Sequence, residues 1–329
     1  MKRAMMLLPT RSRDQIYSPE TVAEIGKLVD LIDASDRVGK LDLLRGDLAD
    51  TEVILSGWGM MELDKDFLEA APRLKAVLYG AGSVREFVTD EFWQRGILLT
   101  SAYRANGIPV AEYTIAVMVL GLKHVLKSSQ TTCRERRFVR PTEAQGMFRS
   151  KIGVIGAGMV GSGVLNRLKA YEVETFCYDP FLTPERAREL GTTPMALDEI
   201  FRTCDCVTVH AANIPSTEGM ITGAHLRGMK EGAVFINTAR GAIVREQEMI
   251  EELKEGRIFA FIDVTEPEPP APDSPLYALP NVFLTPHTSG AIGQERHRQG
   301  EYVLEELKCF LKGEPARYPV TREMMEWMA

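Results

Sequence analysis

The stretch KIGVIGAGMVGSGV, residues 151–164, places four glycines directly after the short apolar run Ile152–Ile155. Such a run is typical of a buried strand in a parallel sheet. Gly156, Gly158 and Gly161 have the spacing G-x-G-x-x-G, which occurs where a strand turns into a helix. The stretch therefore predicts a strand, a tight turn and a helix, in that order.

Each glycine of this turn has a physical role if a dinucleotide binds there. Gly156 permits the tight turn, Gly158 lets a pyrophosphate approach the backbone, and Gly161 lets the helix pack close to the sheet. The N-terminus of the helix also offers unpaired N–H groups and a partial positive charge to the phosphates. Packing alone can produce a glycine-rich turn as well, so the surrounding sequence has to decide.

Support for a dinucleotide site comes from Asp179, which follows the next predicted strand, Thr175–Tyr178. It lies 179 − 161 = 18 residues after Gly161, the last glycine of the motif. A carboxylate at this distance binds the ribose hydroxyls of an adenosine. It would also repel a 2′-phosphate, so the sequence predicts NAD as the cofactor rather than NADP. The alternative is that Asp179 only caps a turn before Pro180.

Composition excludes several classes of protein. With 329 residues, of which 45% are hydrophobic, the chain is long enough for two domains with separate cores. The net charge is −7 without any basic run, so we expect a small-molecule ligand and neither nucleic acid nor a membrane as partner. We find no apolar stretch approaching the roughly 20 residues of a membrane span. Five cysteines without a CxxC pair are expected to be reduced, in a cytoplasmic protein.

Apolar runs of strand length alternate with amphipathic stretches of helical length, which predicts an α/β fold with parallel sheets. The predicted strands are Met5–Leu8, Val53–Ser56, Ala76–Leu78, Ile97–Thr100, Ile152–Ile155, Thr175–Tyr178, Cys206–His210, Val234–Asn237, Phe259–Asp263 and Val282–Thr285. The first four precede a long apolar helix, Val110–Leu126, which Pro109 is expected to open. The segment Thr131–Ser150 has little periodicity and predicts an exposed arm.

Three residues with useful chemistry stand where predicted strands end, the edge at which open α/β sheets bind ligands. Arg240 offers a bidentate fork to a carboxylate or carbonyl oxygen, and His287 can exchange a proton near neutral pH. A glutamate from FIDVTEPEPP, either Glu266 or Glu268, could hold the imidazole. Each residue also has an ordinary structural explanation: an ion pair for the arginine, a turn cap for the histidine and solvation for the glutamates.

Taken together, these motifs resemble the D-isomer-specific 2-hydroxyacid dehydrogenase family, most clearly from about Gly80 to Gly290 and weakly in the first seventy residues. The resemblance implies two doubly wound parallel sheets: a Rossmann-type NAD-binding domain, residues 104–291, and a flavodoxin-like substrate domain, residues 1–103 with 292–329. The motifs that carry it are the glycine turn at Gly156, Asp179, Asn237–Gly241, Asp263-Val264 with Glu268-Pro269, and Pro280-Asn281 leading to Thr285-Pro286-His287.

The family resemblance also implies roles for individual residues. Arg240 would bind the substrate carboxylate and keto oxygen, His287 would be the general acid/base, and Glu268, preferred over Glu266 on spacing, would pair with His287. Asp263 would contact the nicotinamide end of the cofactor. The predicted cofactor-binding residues are Gly156, Gly158, Met159, Val160, Gly161, Asp179, Thr238, Ala239, Asp263 and Gly290, and no metal is expected.

On the substrate side, YGAGSVREF resembles the glycine loop of the family, but Ser83-Val84-Arg85 replaces the usual Val-Asp. We therefore hypothesise that Arg85 or Arg104 supplies a second positive contact to a larger or more acidic substrate, although an arginine in a loop is commonly just solvated. The predicted substrate-binding residues are Gly80, Ala81, Gly82, Ser83, Arg85 and Asn106.

The function that the resemblance implies is reversible, NAD-dependent oxidation of a D-2-hydroxy acid to its 2-keto acid. An NAD-sensing corepressor of the same fold is the alternative. The helix Val110–Leu126 is apolar nearly all round, and in the resembling family such a helix packs against its twin, which predicts a homodimer. Burial of that helix within one subunit would explain the same pattern.

Overall fold

The computed structural model describes residues 1–326, which form two compact units. Unit 1 comprises Met1–Asn106 and the described residues from Ala291 onward, and unit 2 comprises Gly107–Gly290. The chain therefore leaves unit 1, builds the whole of unit 2, and returns to complete unit 1.

Unit 1 contains a five-stranded parallel sheet in the order β2-β1-β3-β4-β5. Strand order reverses between β1 and β3, and in open α/β sheets such a switch point forms a crevice at the carboxyl ends of the strands. The glycine loop that follows β4 lies at this same carboxyl edge. The strands are β1 (Arg3–Met6), β2 (Asp30–Asp33), β3 (Val53–Ser56), β4 (Ala76–Tyr79) and β5 (Leu98–Ser101).

Helices cover both faces of this sheet, and several begin where a side chain can accept the first free N–H groups. Ser18, Asp64 and Thr89 each accept a backbone N–H three residues later in the chain. The helices in the first part of unit 1 are α1 (Thr10–Ile16), α2 (Pro19–Leu28), α3 (Leu41–Leu48), α4 (Lys65–Ala70) and α5 (Asp90–Gln94).

Unit 2 contains a seven-stranded parallel sheet in the order β12-β11-β10-β9-β6-β7-β8. Here the order reverses between β6 and β9, so the glycine turn after β6 stands at the switch point. The strands are β6 (Lys151–Ile155), β7 (Glu174–Tyr178), β8 (Thr193–Pro194), β9 (Cys206–Val209), β10 (Val234–Asn237), β11 (Phe259–Ile262) and β12 (Val282–Leu284).

Alternate residues of the central strands face opposite sides of this sheet and enter two separate cores. Phe235 belongs to one core, whereas its neighbours Val234 and Ile236 belong to the other. Both faces are therefore apolar, as expected of a parallel sheet covered by helices on each side. The remaining helices are α6 (Tyr103–Leu122), α7 (Val125–Glu135), α8 (Met159–Leu168), α9 (Pro184–Leu190), α10 (Leu197–Thr203), α11 (Gly223–Gly228), α12 (Glu246–Lys254) and α13 (His297–Lys312).

The predicted α/β fold with doubly wound parallel sheets is confirmed, and all ten predicted strands are present with small shifts at their ends. Two strands were not predicted. β2, sequence DLID, is a half-exposed edge strand, and β8 is only two residues long. Neither has the apolar run that identifies a buried strand, so the sequence carried no strong signal for them.

The predicted bounds of the long helix, Val110–Leu126, are wrong. Helix α6 begins at Tyr103, so Pro109 lies inside it, and it ends at Leu122. Ser101 Oγ accepts the N–H of Tyr103 at 3.3 Å, which helps to start the helix upstream of the proline. His124 adopts a left-handed conformation, φ 48°, which breaks the helical path before α7 begins.

Two further expectations about this region are corrected. The predicted arm, Thr131–Ser150, is helical in α7 as far as Glu135, and Phe138 just beyond is 92% exposed. The expectation that no apolar stretch approaches the length of a membrane span is wrong, because α6 meets that test by length and composition. Since 61% of its most apolar window is buried in the protein, a core helix explains it equally well.

Candidate active site

His287 and Glu268 form a hydrogen-bonded pair in unit 2. His287 Nδ1 lies 2.7 Å from Glu268 Oε1, and both side chains are a little less than half exposed. Glu268 belongs to the loop after β11, and His287 to the loop after the neighbouring β12. In the described part of the chain Nε2 of His287 has no partner. An imidazole held by one nitrogen in this way can exchange a proton through the other.

The backbone at His287 is in the left-handed region, with φ 52°. A residue with a Cβ adopts this conformation at a cost of about 1 kcal/mol or more, so surrounding contacts have to maintain it. The His287 N–H donates to the carbonyl of Asp263 at 2.9 Å and lies 3.0 Å from the carbonyl of Thr285. These bonds fix the direction in which the imidazole leaves the chain.

Asp263 holds the same loop through its carboxylate, which is buried at the end of β11. Oδ1 accepts from the Thr285 hydroxyl at 2.6 Å and from the Thr288 N–H at 2.8 Å, and Oδ2 accepts from the Ser289 N–H at 2.9 Å. The carboxylate thus binds the residues on both sides of His287. Its predicted contact with the nicotinamide stays a prediction.

Arg240 follows β10, the strand next to β11, so its loop and the loops of Glu268 and His287 follow three adjacent strands. Its Nη1 donates to the Ala239 carbonyl at 2.7 Å, and among residues 1–326 no carboxylate pairs with it. Gly241 permits a close approach here, because a Cβ at that position would lie 2.0 Å from the Thr265 carbonyl carbon. The arginine loop and the glutamate loop are therefore in contact.

Glu266, the other candidate partner of His287, is placed differently. Its backbone N–H donates to Glu246 Oε2 at 2.9 Å. Burial raises the pKa of Glu246, the Glu266 N–H opposes that shift, and the Glu266 charge adds to it. The structure therefore brings Glu268, and not Glu266, to the imidazole.

The glycine turn leaves room for a dinucleotide at one of its three positions. A Cβ at Gly156, which has φ 93°, would lie 2.6 Å from the Ala211 N, and a Cβ at Gly161 would lie 1.9 Å from the Gly156 carbonyl oxygen. By contrast, a Cβ at Gly158 would meet nothing within 4 Å. This bare, exposed position adjoins the N-terminus of α8, where backbone N–H groups can bind phosphate. The residues present fit the predicted cofactor.

Asp179 follows β7 and binds the glycine turn directly. Oδ2 accepts the Ala157 N–H at 2.6 Å, and Oδ1 accepts the Phe181 N–H at 2.8 Å. The turn-cap explanation of this residue therefore describes part of its role. Its contact with the ribose hydroxyls stays a prediction.

The other predicted cofactor residues lie after β10, in the first turn of α8 or at the end of unit 2. Met159 and Val160 are the first two residues of α8, and Thr238 and Ala239 follow β10. Gly290 is the last residue of unit 2. No contact in the structure assigns a ligand to these five positions, so their roles stay predictions.

His210 follows β9 and lies against the glycine turn. Its Nε2 is 2.9 Å from Thr208 Oγ1, and burial lowers the pKa of His210 to about 3. Its carbonyl carbon would be 2.7 Å from a Cβ at Gly156. The imidazole is therefore neutral near neutral pH and supports the switch point rather than exchanging protons.

In unit 1, the predicted substrate loop follows β4. Gly80 donates its N–H to the Ser56 carbonyl at 2.8 Å, and Ser101 Oγ lies 2.8 Å and 2.6 Å from the carbonyls of Ala81 and Gly82. Within the described residues, the N–H groups of Ala81, Gly82 and Ser83 have no protein acceptor. The loop thus offers backbone donors suited to an anion, while the N–H of Gly80 is already used.

The two arginines proposed for a larger substrate are both engaged within unit 1. Arg85 donates through Nη2 to the Met325 carbonyl. The Arg104 guanidinium lies 5.9 Å from the Tyr103 ring centroid and 5.7 Å from that of Tyr318. These contacts show how the two side chains are held, and their substrate roles stay predictions.

Asn106, the remaining predicted substrate residue, ties together the two passages of the chain through unit 1. Its Oδ1 accepts the Ala291 N–H at 3.1 Å and the Gln299 side-chain amide at 3.3 Å. The structure thus gives it a structural task that the sequence did not suggest.

Sequence reasoning missed one further cation at the edge of the unit 1 sheet. The Arg296 guanidinium lies 5.5 Å from the centroid of the Trp58 ring, just beyond β3, and its Nε donates to the Ala291 carbonyl at 3.1 Å. Because 238 residues separate positions 58 and 296 in the chain (296 − 58), no local pattern could have indicated this pair.

Comparison with known proteins identifies the family and the fold. A family model described as "D-isomer specific 2-hydroxyacid dehydrogenase, NAD binding domain" matches residues 115–289, more than half of the chain. A phosphoglycerate oxidoreductase from Rhizobium etli matches in structure with a TM-score of 0.83 at 23% identity, over 98% of this chain and 99% of that one. At this identity the structural match concerns the fold alone.

Curated relatives are similar in sequence. The D-3-phosphoglycerate dehydrogenase of Archaeoglobus fulgidus is 33% identical over 267 residues, 80% of this chain and 50% of that protein. The glyoxylate reductase of Korarchaeum cryptofilum is 30% identical over 270 residues, 80% of this chain and 81% of that protein. The chain spans about half the length of the phosphoglycerate dehydrogenases it matches.

Proposed function

Because the chain belongs to the D-isomer-specific 2-hydroxyacid dehydrogenase family, we propose that it is an NAD-dependent oxidoreductase that interconverts a D-2-hydroxy acid and its 2-keto acid. The observation that carries the proposal is the His287–Glu268 pair, 2.7 Å apart, on the loops after β12 and β11, with the Arg240 loop after β10, the other neighbour of β11. An imidazole, a carboxylate and a guanidinium are the groups that such a reaction needs beside its cofactor.

Bound NAD supplies the chemistry that a protein side chain lacks, namely exchange of a hydride with C2 of the substrate. The glycine turn would hold its pyrophosphate, with the bare Gly158 and the N-terminus of α8 against the phosphates. Asp179 would hold the adenosine ribose, and its negative charge favours NAD over NADP.

His287 would move the proton through Nε2. In the reductive direction the keto oxygen takes this proton and becomes the hydroxyl; in the oxidative direction Nε2 takes it back. Glu268 on Nδ1 fixes which nitrogen faces the substrate. Asp263 keeps the loop in its left-handed conformation throughout.

Arg240 would bind the substrate carboxylate and polarise the keto oxygen. Its extended backbone, φ −149° and ψ 148°, and the bond from Asn237 Nδ2 to its carbonyl at 3.0 Å hold the residue at the end of β10. Without a carboxylate partner among residues 1–326, the guanidinium keeps donors for an anionic ligand.

We also propose that the protein is a homodimer of the cytoplasm. Several large apolar side chains on α6, α7 and the segment after α7 are exposed, among them Leu120, Val125, Phe138 and Phe148. All five cysteines are free, which suits a reducing compartment. Light scattering of the purified protein, which should give twice the mass of the chain, tests the dimer.

The catalytic proposal is tested by following NADH absorbance with a panel of 2-keto acids: glyoxylate, hydroxypyruvate and 2-ketoglutarate. His287→Gln is expected to lower kcat by about a thousandfold while NADH still binds, because a positioned acid/base contributes on the order of 10²–10⁴ in rate. His297→Gln, on α13 in unit 1, is the matched control and should retain activity. Turnover by His287→Gln at the wild-type rate would refute the role.

A further inference from the structure

A chain of hydroxyl groups connects the His287 loop to helix α6 within unit 2. Tyr113 Oη lies 2.9 Å from Thr285 Oγ1, and Thr285 Oγ1 lies 2.6 Å from Asp263 Oδ1. Tyr113 is thus two hydrogen bonds away from the carboxylate that holds the loop, although it is 172 residues from Thr285 in the sequence.

The direction of these bonds follows from the acceptor at their end. An ionised carboxylate only accepts, so the Thr285 hydroxyl donates its single hydrogen to Asp263. The hydrogen between Thr285 and Tyr113 must then come from the phenol. Tyr113 donates to Thr285 and Thr285 donates to Asp263, which is an arrangement in which each bond polarises the next.

The phenol remains a donor near neutral pH. Burial raises the pKa of Tyr113, and the charge of Asp263 adds to the increase. Helix α6 is itself anchored in unit 2, since Thr114, the next residue, is fully buried and its hydroxyl lies 3.4 Å from that of Thr238 after β10. Tyr113, the first residue in the chain of hydroxyls, is therefore held in place by its helix.

At its other end, the network reaches the residues that hold His287. Asp263 accepts the N–H groups of Thr288 and Ser289 with its carboxylate and that of His287 with its carbonyl. Because His287 is in a left-handed conformation that costs energy, its orientation depends on these bonds.

We propose that Tyr113 is a positioning residue for His287 and acts through Thr285 and Asp263. The proposal rests on the proposed function, in which His287 moves the proton. Tyr113 contributes no proton to the substrate. It fixes the carboxylate, the carboxylate fixes the left-handed loop, and the loop fixes the imidazole.

The test uses two substitutions that remove a hydroxyl at nearly constant shape, Tyr113→Phe and Thr285→Val. Each is expected to lower kcat about 5- to 10-fold, the effect of losing roughly one net hydrogen bond, with KM and NADH affinity changed less than about twofold. Thr285→Ser, which keeps the hydroxyl, should restore most of the activity that Thr285→Val loses. Tyr171→Phe, at a half-exposed tyrosine of unit 2, is the matched control.

A double variant shows whether the two hydroxyls act through one hydrogen-bonded path or independently. If both hydroxyls act through one path, Tyr113→Phe with Thr285→Val should have the kcat of Thr285→Val alone, because residues in one network are not additive. Multiplied losses in the double variant, or an unchanged kcat in Tyr113→Phe, would overturn the proposal.

A second measurement does not depend on turnover. Amide hydrogen exchange at His287, Thr288 and Ser289 is expected to be about tenfold faster in Tyr113→Phe than in the wild type, with no change in Tyr171→Phe. Unchanged exchange would overturn the positioning role even if the enzyme is active. Accelerated exchange in Tyr113→Phe, together with a wild-type protein that reduces no 2-keto acid, would instead place the fault in the proposed function.

Discussion

The His287 loop of unit 2 and the glycine loop of unit 1 are each held by a different kind of hydrogen bond. In unit 2, carboxylates accept backbone N–H groups, as Asp179 does from Ala157 and Asp263 does from Thr288. In unit 1, hydroxyls donate to backbone carbonyls, as Ser56 does to Leu7 and Ser101 does towards Ala81 and Gly82.

This difference shows how one architecture produces two electrostatic environments. Bonds to an ionised acceptor are roughly twice as strong as neutral ones, so the carboxylates of unit 2 can maintain a strained loop such as that of His287. Hydroxyls that bind carbonyls leave N–H groups such as those of Gly82 and Ser83 free for an anion. The stronger bonds thus accompany the strained residue, and the weaker bonds accompany the open donors.

The largest effect is expected at Asp263. Asp263→Asn would replace one accepting oxygen with an NH₂ group that faces N–H donors. In this buried site the NH₂ group and the N–H donor opposite it would then lack an acceptor. We expect the free energy of unfolding of unit 2 to fall by about 3 kcal/mol and kcat to fall by about a hundredfold. Calorimetry and NADH kinetics measure the two quantities. Asp273→Asn, at an exposed loop position, is the control, and equal effects in both variants would contradict the comparison.

A pair of glycine variants sharpens the contrast within unit 2. Gly161→Ala should lower the free energy of unfolding by about 2 kcal/mol, because its Cβ would lie 1.9 Å from the Gly156 carbonyl oxygen. Gly158→Ala should leave stability nearly unchanged and weaken NADH binding about tenfold, because its Cβ would occupy the space the pyrophosphate needs. Tight NADH binding by Gly158→Ala would argue against the assigned cofactor site.

The smallest effect is expected in unit 1. Ser101→Ala removes a neutral donor from the Ala81 and Gly82 carbonyls, and should lower the free energy of unfolding by about 1 kcal/mol. Calorimetry of Ser101→Ala and Asp263→Asn under the same conditions compares the two losses in free energy of unfolding. A loss in Ser101→Ala as large as that in Asp263→Asn would show that charge is not what distinguishes the two edges.

The parts of the site that could be predicted from the sequence are those with a local pattern. The turn requires missing side chains at Gly156 and Gly161, and glycines at such a fixed spacing are visible in a single short stretch. Arg240 and His287 could be proposed because each directly follows an apolar strand. Their placement at the same edge of the sheet, with β11 between their strands, then follows from the topology of the parallel sheet.

The parts that could not be predicted depend on distant contacts. A proline commonly marks the start of a helix, but α6 begins six residues before Pro109. The N–H of Tyr103 bonds to Ser101 Oγ, which helps the helix to start there. Tyr113 looks like one more apolar residue of a core helix until Thr285 is seen beside its hydroxyl. Contacts of this kind leave no periodic signal in either segment.

The insertion of unit 2 into unit 1 has a consequence for synthesis. The chain leaves unit 1 after Asn106 and returns at Ala291, and the core of unit 1 needs Val303 and Leu307 of α13. All of unit 2 is therefore synthesised before α13. Unit 2 can begin to fold before α13 is made, whereas one face of the unit 1 sheet stays uncovered until α13 is available to pack against it.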